Sequence, residues 1–198
     1  MAERKNVMSS NIIIITGYLA AGKSTFARRL SEAASIPCII KDTFKSAICT
    51  SLQINSRNDS SRFSAVTFDA MMYITERLIE RGYLIIIEGN FVPSGIKKTD
   101  EACVIKGLID KFGCRLLTYK FIGNTRILYK RFVERDKSTE REQANVMFSE
   151  PTFDEFDTWC HNLDQFNAGG TIIEVDTTDF NLVNFEQHIE TAQKFLLK

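Results

Sequence analysis

Four consecutive β-branched residues, Ile12-Ile13-Ile14-Ile15, run into Thr16-Gly17-Tyr18-Leu19-Ala20-Ala21-Gly22-Lys23-Ser24-Thr25, and this junction constrains the fold more than any other part of the chain. An unbroken apolar run of this length reads as a strand buried on both faces. It breaks into Gly-x-x-x-x-Gly-Lys-Ser and then turns polar and helical. Gly17 and Gly22 open backbone conformations closed to side-chain-bearing residues, so that successive N–H groups from Gly17 to Thr25, including those of Ala20 and Ala21, can point inward at a polyphosphate. Lys23 is then placed to reach the β- and γ-phosphates, and Ser24 to offer its hydroxyl to Mg²⁺. A helix starting near Gly22 adds its free N–H groups and the positive end of its dipole. Given average glycine usage, such a string arises by chance in a chain this long only on the order of 1% of the time.

Apolar strand-like runs alternate with helical patterns along the rest of the chain, which calls for a parallel sheet covered on both faces. The strands are expected at Ile12 to Thr16, Pro37 to Lys41, Leu84 to Glu88, Arg115 to Phe121 and Thr171 to Asp176. Apolar stripes mark the helices between them. Phe26, Leu30, Ala33 and Ala34 form the first; Phe63, Val66, Ala70, Ile74 and Leu78 the second, ending before Gly82; Ala102, Ile105, Ile109 and Phe112 the third, ending before Gly113. Thr152 and Glu155 have capping-box spacing ahead of Phe153, Phe156, Cys160 and Leu163. Leu182, Phe185, Ile189, Ala192 and Leu196 form the last stripe. Asn55 to Arg62 reads as a polar loop, either a solvated connection or a mobile flap over an acceptor site. Residues 1–11 read as a loose tail ahead of one domain spanning 12–198.

Length and composition exclude several classes. A chain of 198 residues, 44% apolar and 25% charged, can bury one substantial core. Lys+Arg and Asp+Glu balance at 25 each, so no whole-molecule field favours nucleic acid or an anionic membrane. No apolar run approaches the roughly 20 residues of a spanning helix, and Ile12 to Ile15 is too short for a signal peptide. The five cysteines show no C-x-x-C spacing and an odd count, the pattern of reduced thiols in a cytoplasmic protein. Neither His161 nor His188 has partners at metal-ligand spacing.

In an open parallel sheet the ligand lies beyond the carboxyl ends of the strands. That rule selects Asp42, Glu88 and Asp176. Asp42, in Ile40-Lys41-Asp42-Thr43-Phe44-Lys45, can orient an acceptor hydroxyl and take its proton, or cap a helix beginning at Thr43. Glu88 closes Leu84-Ile85-Ile86-Ile87 and precedes Gly89-Asn90; its carboxylate can hold Mg²⁺ or bind the acceptor, and Gly89 permits a close backbone approach. Asp176 more simply starts a turn. Arg131 and Arg135 lie four apart, hence on one helical face, where their guanidinium forks suit the charge that spreads over a phosphoryl group in transfer; the alternative is a salt-bridged surface.

Taken together, Ile15 to Thr25, Lys41 to Lys45, Ile87-Glu88-Gly89-Asn90, Arg131-Phe-Val-Glu-Arg135 and Val175-Asp176-Thr177-Thr178 resemble the small P-loop kinases, within them most closely the group of polynucleotide 5′-kinases, zeta toxins and chloramphenicol phosphotransferase. These segments cover most of the chain in the expected order, although only the phosphate loop is specific by itself. The resemblance implies an α/β three-layer fold with strand order 2-3-1-4-5, ATP as donor, Asp42 as base and a helical lid at 131–150. It also implies adenine packing near Thr177 and Thr178, and an acceptor site drawn from Asp42, Lys45, Glu88 and Asn90. Lys45 stands where relatives that bind an acceptor phosphate often carry Arg, and Lys lacks the bidentate fork, which argues against a phosphate-bearing acceptor. The loop lacks the extra Pro and Gly of nucleotide kinases, and no Asn-Lys-x-Asp guanine signature occurs. The expectation is therefore an ATP- and Mg²⁺-dependent phosphotransferase acting on a hydroxyl of a small molecule, as a monomer or homodimer. The alternatives are a kinase of nucleotides or nucleic-acid ends and an ATP-dependent regulatory switch.

Overall fold

The computed structural model describes residues 10–54, 57–92, 100–137 and 150–197, with only the backbone of 57 and 58. Five parallel strands form one sheet in the order β2-β3-β1-β4-β5: β1 Asn11–Gly17, β2 Cys38–Ile40, β3 Ile85–Glu88, β4 Arg115–Ile122 and β5 Thr171–Asp176. This is the order implied by the resemblance. The register pairs Ile12 to Ile15 with Ile85 to Glu88 on one side, and Asn11 to Gly17 with Arg115 to Phe121 on the other. Hemmed in by two neighbours, all of β1 is buried.

The period of two along β1 divides the core. Ile13 and Ile15 pack with Phe26, Ala27 and Leu30 of helix α1 (Lys23–Ala34) and with Ile189 and Ala192 of α8 (Phe185–Leu196). Ile12 and Ile14 face the other layer, joining Phe68, Met71 and Ile79 of α4 (Ser64–Ile79) and Ile105 and Ile109 of α5 (Glu101–Phe112). Fully burying one such side chain is worth about 1.5–3 kcal/mol, so this double-sided stack is the main determinant of the sheet. The remaining helices are α2 (Lys41–Ser51), α3 (Arg57–Ser61), α6 (Thr125–Lys137) and α7 (Phe153–His161).

Several expectations need correction. Helix α4 buries Thr67, Phe68, Met71, Met72, Thr75 and Ile79, whereas Val66 and Ile74 of the predicted stripe are exposed. The face is rotated because Thr67 and Thr75 donate their hydroxyls to Phe63 and Met71 carbonyls one turn back, and so enter the core as satisfied groups. Ala33 of α1 is exposed and Ala27 takes its place in the core. Leu182 is also exposed, in a 3-10 turn before α8. The predicted polar loop Asn55 to Arg62 contains α3, with 55 and 56 outside the described residues. Ser10 and Asn11 belong to the fold, not to a tail: Ser10 donates to the Ile79 carbonyl, and the Asn11 amide to the Phe195 and Leu196 carbonyls. The capping box is present as expected, Thr152 and Glu155 exchanging both bonds at the start of α7. Gly113 ends α5 in the left-handed conformation.

Candidate active site

The carboxyl ends of β1, β2 and β3 open into a cavity of about 290 Å³. One wall is the loop between β1 and α1. Gly17 has φ +117°, and a Cβ there would lie 2.1 Å from the Phe121 carbonyl oxygen, so only glycine lets the chain leave β1 beside β4. The Tyr18 N–H donates to that same carbonyl at 2.7 Å. Ala20 also takes a positive φ of 58°, a conformation that an L-residue holds at a cost of about 1–2 kcal/mol. Helix α1 begins at Lys23 behind Gly22, with no side chain capping it. Its first N–H groups lack helical acceptors and line the cavity through Gly22, Lys23, Ser24 and Thr25.

Lys23 and Glu88 set the electrostatics. Lys23 is buried, and its Nζ donates to the Gly17 and Tyr18 carbonyls at 2.8 and 2.6 Å, bridging the loop from inside. Burial pulls its ammonium below its ordinary pKa, with Glu88 and Asp42 acting in the opposite sense. Glu88, at the end of β3, accepts a 3.0 Å bond from the Ser24 hydroxyl. Burial pushes its carboxyl up to about 7, against the attraction of Lys23, and the Asp42 charge adds to the rise. A buried carboxylate this poorly compensated, beside a serine hydroxyl, fits a hard divalent cation that takes oxygen ligands.

The opposite wall comes from β2 and α2. Helix α2 starts at Lys41 immediately after β2, so Asp42 lies in its first turn and does not cap it; the expected start at Thr43 and strand end at Lys41 are both corrected. Asp42 remains exposed in the cavity, 3.7 Å from the Lys45 Nζ one turn on. Beneath it lies a group the sequence reading missed. Lys41 Nζ sits 2.6 Å from both carboxylate oxygens of Glu101 at the start of α5, buried under the Phe68 and Phe91 rings. The space opened by Gly89 is filled by Lys41, whose Cβ would be 2.9 Å from a Cβ at position 89. Asn90 lines the cavity with a buried Oδ1 that has no hydrogen-bond partner among the described residues.

The two arginines of α6 part company. Arg135 lines the cavity. Arg131 instead donates to the Thr177 and Thr178 carbonyls at 2.6 and 2.7 Å and stacks over Phe180 at 4.1 Å. Residues 131–137 of the expected lid continue α6, anchored by buried Leu128 and Phe132; the rest, 138–149 with Arg141, lies outside the described residues. Thr177 is buried, its N–H and hydroxyl both donating to the Ile122 carbonyl, so it shapes the loop after β5. Asp176 accepts from the Thr178 N–H at 2.8 Å, the turn-starting role. Phe180, which the sequence reading missed, is the exposed aromatic here: with Gly22, Thr25, Phe26, Arg29 and Phe185 it bounds an apolar pocket of about 180 Å³ beside the start of α1. Its signal was an aromatic directly after the turn at Asp176 to Asp179.

Among the described residues, no cluster of three His, Cys, Asp or Glu could hold a metal by itself, and no helix is long and apolar enough to cross a membrane. The five cysteines are free.

No family model and no curated protein matches the chain. Solved structures do. A candidate kinase from Chloroflexus aurantiacus superposes with a TM-score of 0.77 at 19% identity, over 96% of this chain and 97% of that one. A sugar kinase from Janibacter sp. gives 0.56 at 14% identity, with 94% of both chains covered. A shikimate kinase from Bacteroides thetaiotaomicron gives 0.51 at 12% identity, covering 95% of this chain and 99% of that one. The five-stranded 2-3-1-4-5 sheet with its flanking helices is thus a P-loop kinase fold, similar over nearly the whole chain to structures named as kinases.

Proposed function

We propose that this chain is an ATP-dependent kinase that transfers the γ-phosphoryl group to a hydroxyl of a small molecule. One juxtaposition carries the reading: the uncapped start of α1 with Lys23, and the exposed carboxylate of Asp42, line the same cavity from opposite walls. The first is a cradle for polyphosphate, and the second is a base within reach of an acceptor.

The N–H groups of the Gly17 to Thr25 loop bind the β- and γ-phosphates, and Lys23 adds positive charge from the loop interior. Ser24 and Glu88 hold Mg²⁺, which neutralises phosphate charge when bound. The nucleotide base packs at Phe180 and the loop that Arg131 pins, next to the pocket at Gly22. Asp42 orients the acceptor hydroxyl and takes its proton as the acceptor oxygen bonds to the γ-phosphorus; the bond from that phosphorus to the β-γ bridging oxygen breaks, and ADP leaves. Arg135 faces the charge on the transferring group.

Lys23→Met tests the reading while keeping the aliphatic stem in its buried slot. The variant should remain folded by circular dichroism and lose ATP turnover by about 10²-fold or more. Full turnover in the folded variant overturns it.

A further inference from the structure

A second cavity, of about 480 Å³, adjoins the first and shares Leu19, Asn90 and Val92 with it. Its chemistry differs sharply. The first is lined by Lys23, Asp42, Lys45, Glu88 and Arg135, whereas the second adds only Trp159, Asn162, Leu163 and Gln165, so that among the described residues no charged side chain lines it. The far wall is fixed to the phosphate loop. The Tyr18 hydroxyl donates to Asp164 at 3.0 Å, Lys120 donates to the Asp164 carbonyl at 3.2 Å, and Leu163 is buried. Both charged groups of that tether thus stay out of the cavity lining.

We propose that this cavity is the acceptor subsite and that it selects an uncharged, hydroxylated ring compound, such as a neutral monosaccharide or a cyclitol. The inference rests on the kinase reading and deepens it. Trp159 brings a broad apolar ring system to the lining, the complement of the apolar C–H face of a ring compound. The amides of Asn90, Asn162 and Gln165 both donate and accept, as hydroxyl groups do. Among the described residues the lining offers no counter-charge to a carboxylate or phosphate, which disfavours ionised acceptors. Asn90 stands on the boundary with a buried oxygen unpartnered among the described residues, able to accept from a hydroxyl passing toward Asp42. From there the acceptor oxygen reaches the γ-phosphorus and its proton passes to Asp42.

Trp159 is the only tryptophan of the chain, so its fluorescence reports on this cavity directly. The nucleotide-free protein is titrated with neutral hexoses, pentoses and cyclitols, each beside its uronate, phosphate or amino counterpart, and the same compounds are assayed for ATP-dependent phosphorylation. Neutral compounds should shift Trp159 emission, and the best of them should exceed its charged counterparts in kcat/KM by at least about tenfold. Asn162→Asp and Gln165→Glu, which put a carboxylate at the lining, should raise acceptor KM by about tenfold and leave ATP KM unchanged. A charged best acceptor, or no emission response to any neutral compound, overturns the proposal. An emission response with no phosphorylation of any compound supports the subsite and overturns the kinase reading, so the two failures are separable.

Discussion

Lys41 and Glu101 form a buried ion pair that ties the first turn of α2, which carries Asp42, to the first turn of α5. Both side chains are almost inaccessible, at 6% and 0% exposure, and the ammonium lies over two aromatic rings. Burial draws the Lys41 pKa down, and the Glu101 carboxylate opposes that pull. Deleting one partner leaves the other charge buried without compensation, at a cost of about 3–5 kcal/mol. Glu101→Gln should therefore lower the denaturant midpoint steeply, and the double variant Lys41→Met with Glu101→Leu should recover most of the loss. A double variant no more stable than Glu101→Gln would show that the site needs the pair itself.

Gly17 gives a second, purely steric prediction. With φ +117° and a Cβ position 2.1 Å from a β4 carbonyl, Gly17→Ala must push β1 from β4 and break the Tyr18 to Phe121 bond. The loss should be about 3 kcal/mol or more. Gly82→Ala is the control, since its φ is +79° but nothing lies within 4 Å. That variant should lose only about 1 kcal/mol, the cost of the backbone conformation. Equal losses in chemical denaturation would remove the steric explanation.

These features differ in how far the chain announces them. The glycine-spaced loop of Gly17 to Thr25 and the central strands were legible because they rest on local chemistry: β-branched runs, and glycines at fixed spacing. The face of α4 was not, because Thr67 and Thr75 count as polar by type and become core residues once each hydroxyl bonds one turn back. Lys41 and Glu101, sixty residues apart, meet only through the sheet order, and no motif pairs the two. The sequence placed Leu163 in the apolar stripe of a helix, but α7 ends at His161; that the segment from Trp159 to Gln165 closes a cavity against Leu19 depends on the Tyr18 tether to Asp164. Arg131 and Arg135 share a helical face, but the loop after β5 reaches only the first.

Asp42→Asn separates a kinase from a nucleotide-dependent switch. Asn keeps the size of the side chain, and Asp42 caps no helix, so little stability is at stake. ATP affinity should survive while transfer to the acceptor falls by roughly 10²-fold or more. Unchanged acceptor-dependent turnover, measured as phosphorylated product, would move the base to another group, with Glu88 the other carboxylate among the described residues of the lining.

The arginines of α6 should fail in different ways. Arg135 lines the cavity, so Arg135→Ala should lower kcat much more than it raises the ATP KM; an arginine acting in cis on phosphoryl transfer can matter by about 10³-fold. Arg131 pins the Thr177 and Thr178 carbonyls and stacks on Phe180. Hydrogen bonds to a charged group are worth about 1.5–3 kcal/mol, so Arg131→Ala should loosen the loop proposed to pack the base and raise ATP KM by about tenfold or more, with a smaller change in kcat. Phe180→Ala should reproduce the Arg131 phenotype, because the two side chains support one surface. Steady-state kinetics with ATP and acceptor varied in turn reads both effects. Should Arg131→Ala depress kcat as strongly as Arg135→Ala at unchanged ATP KM, the guanidinium of Arg131 must leave the Thr177 and Thr178 carbonyls during turnover and meet the phosphoryl group itself.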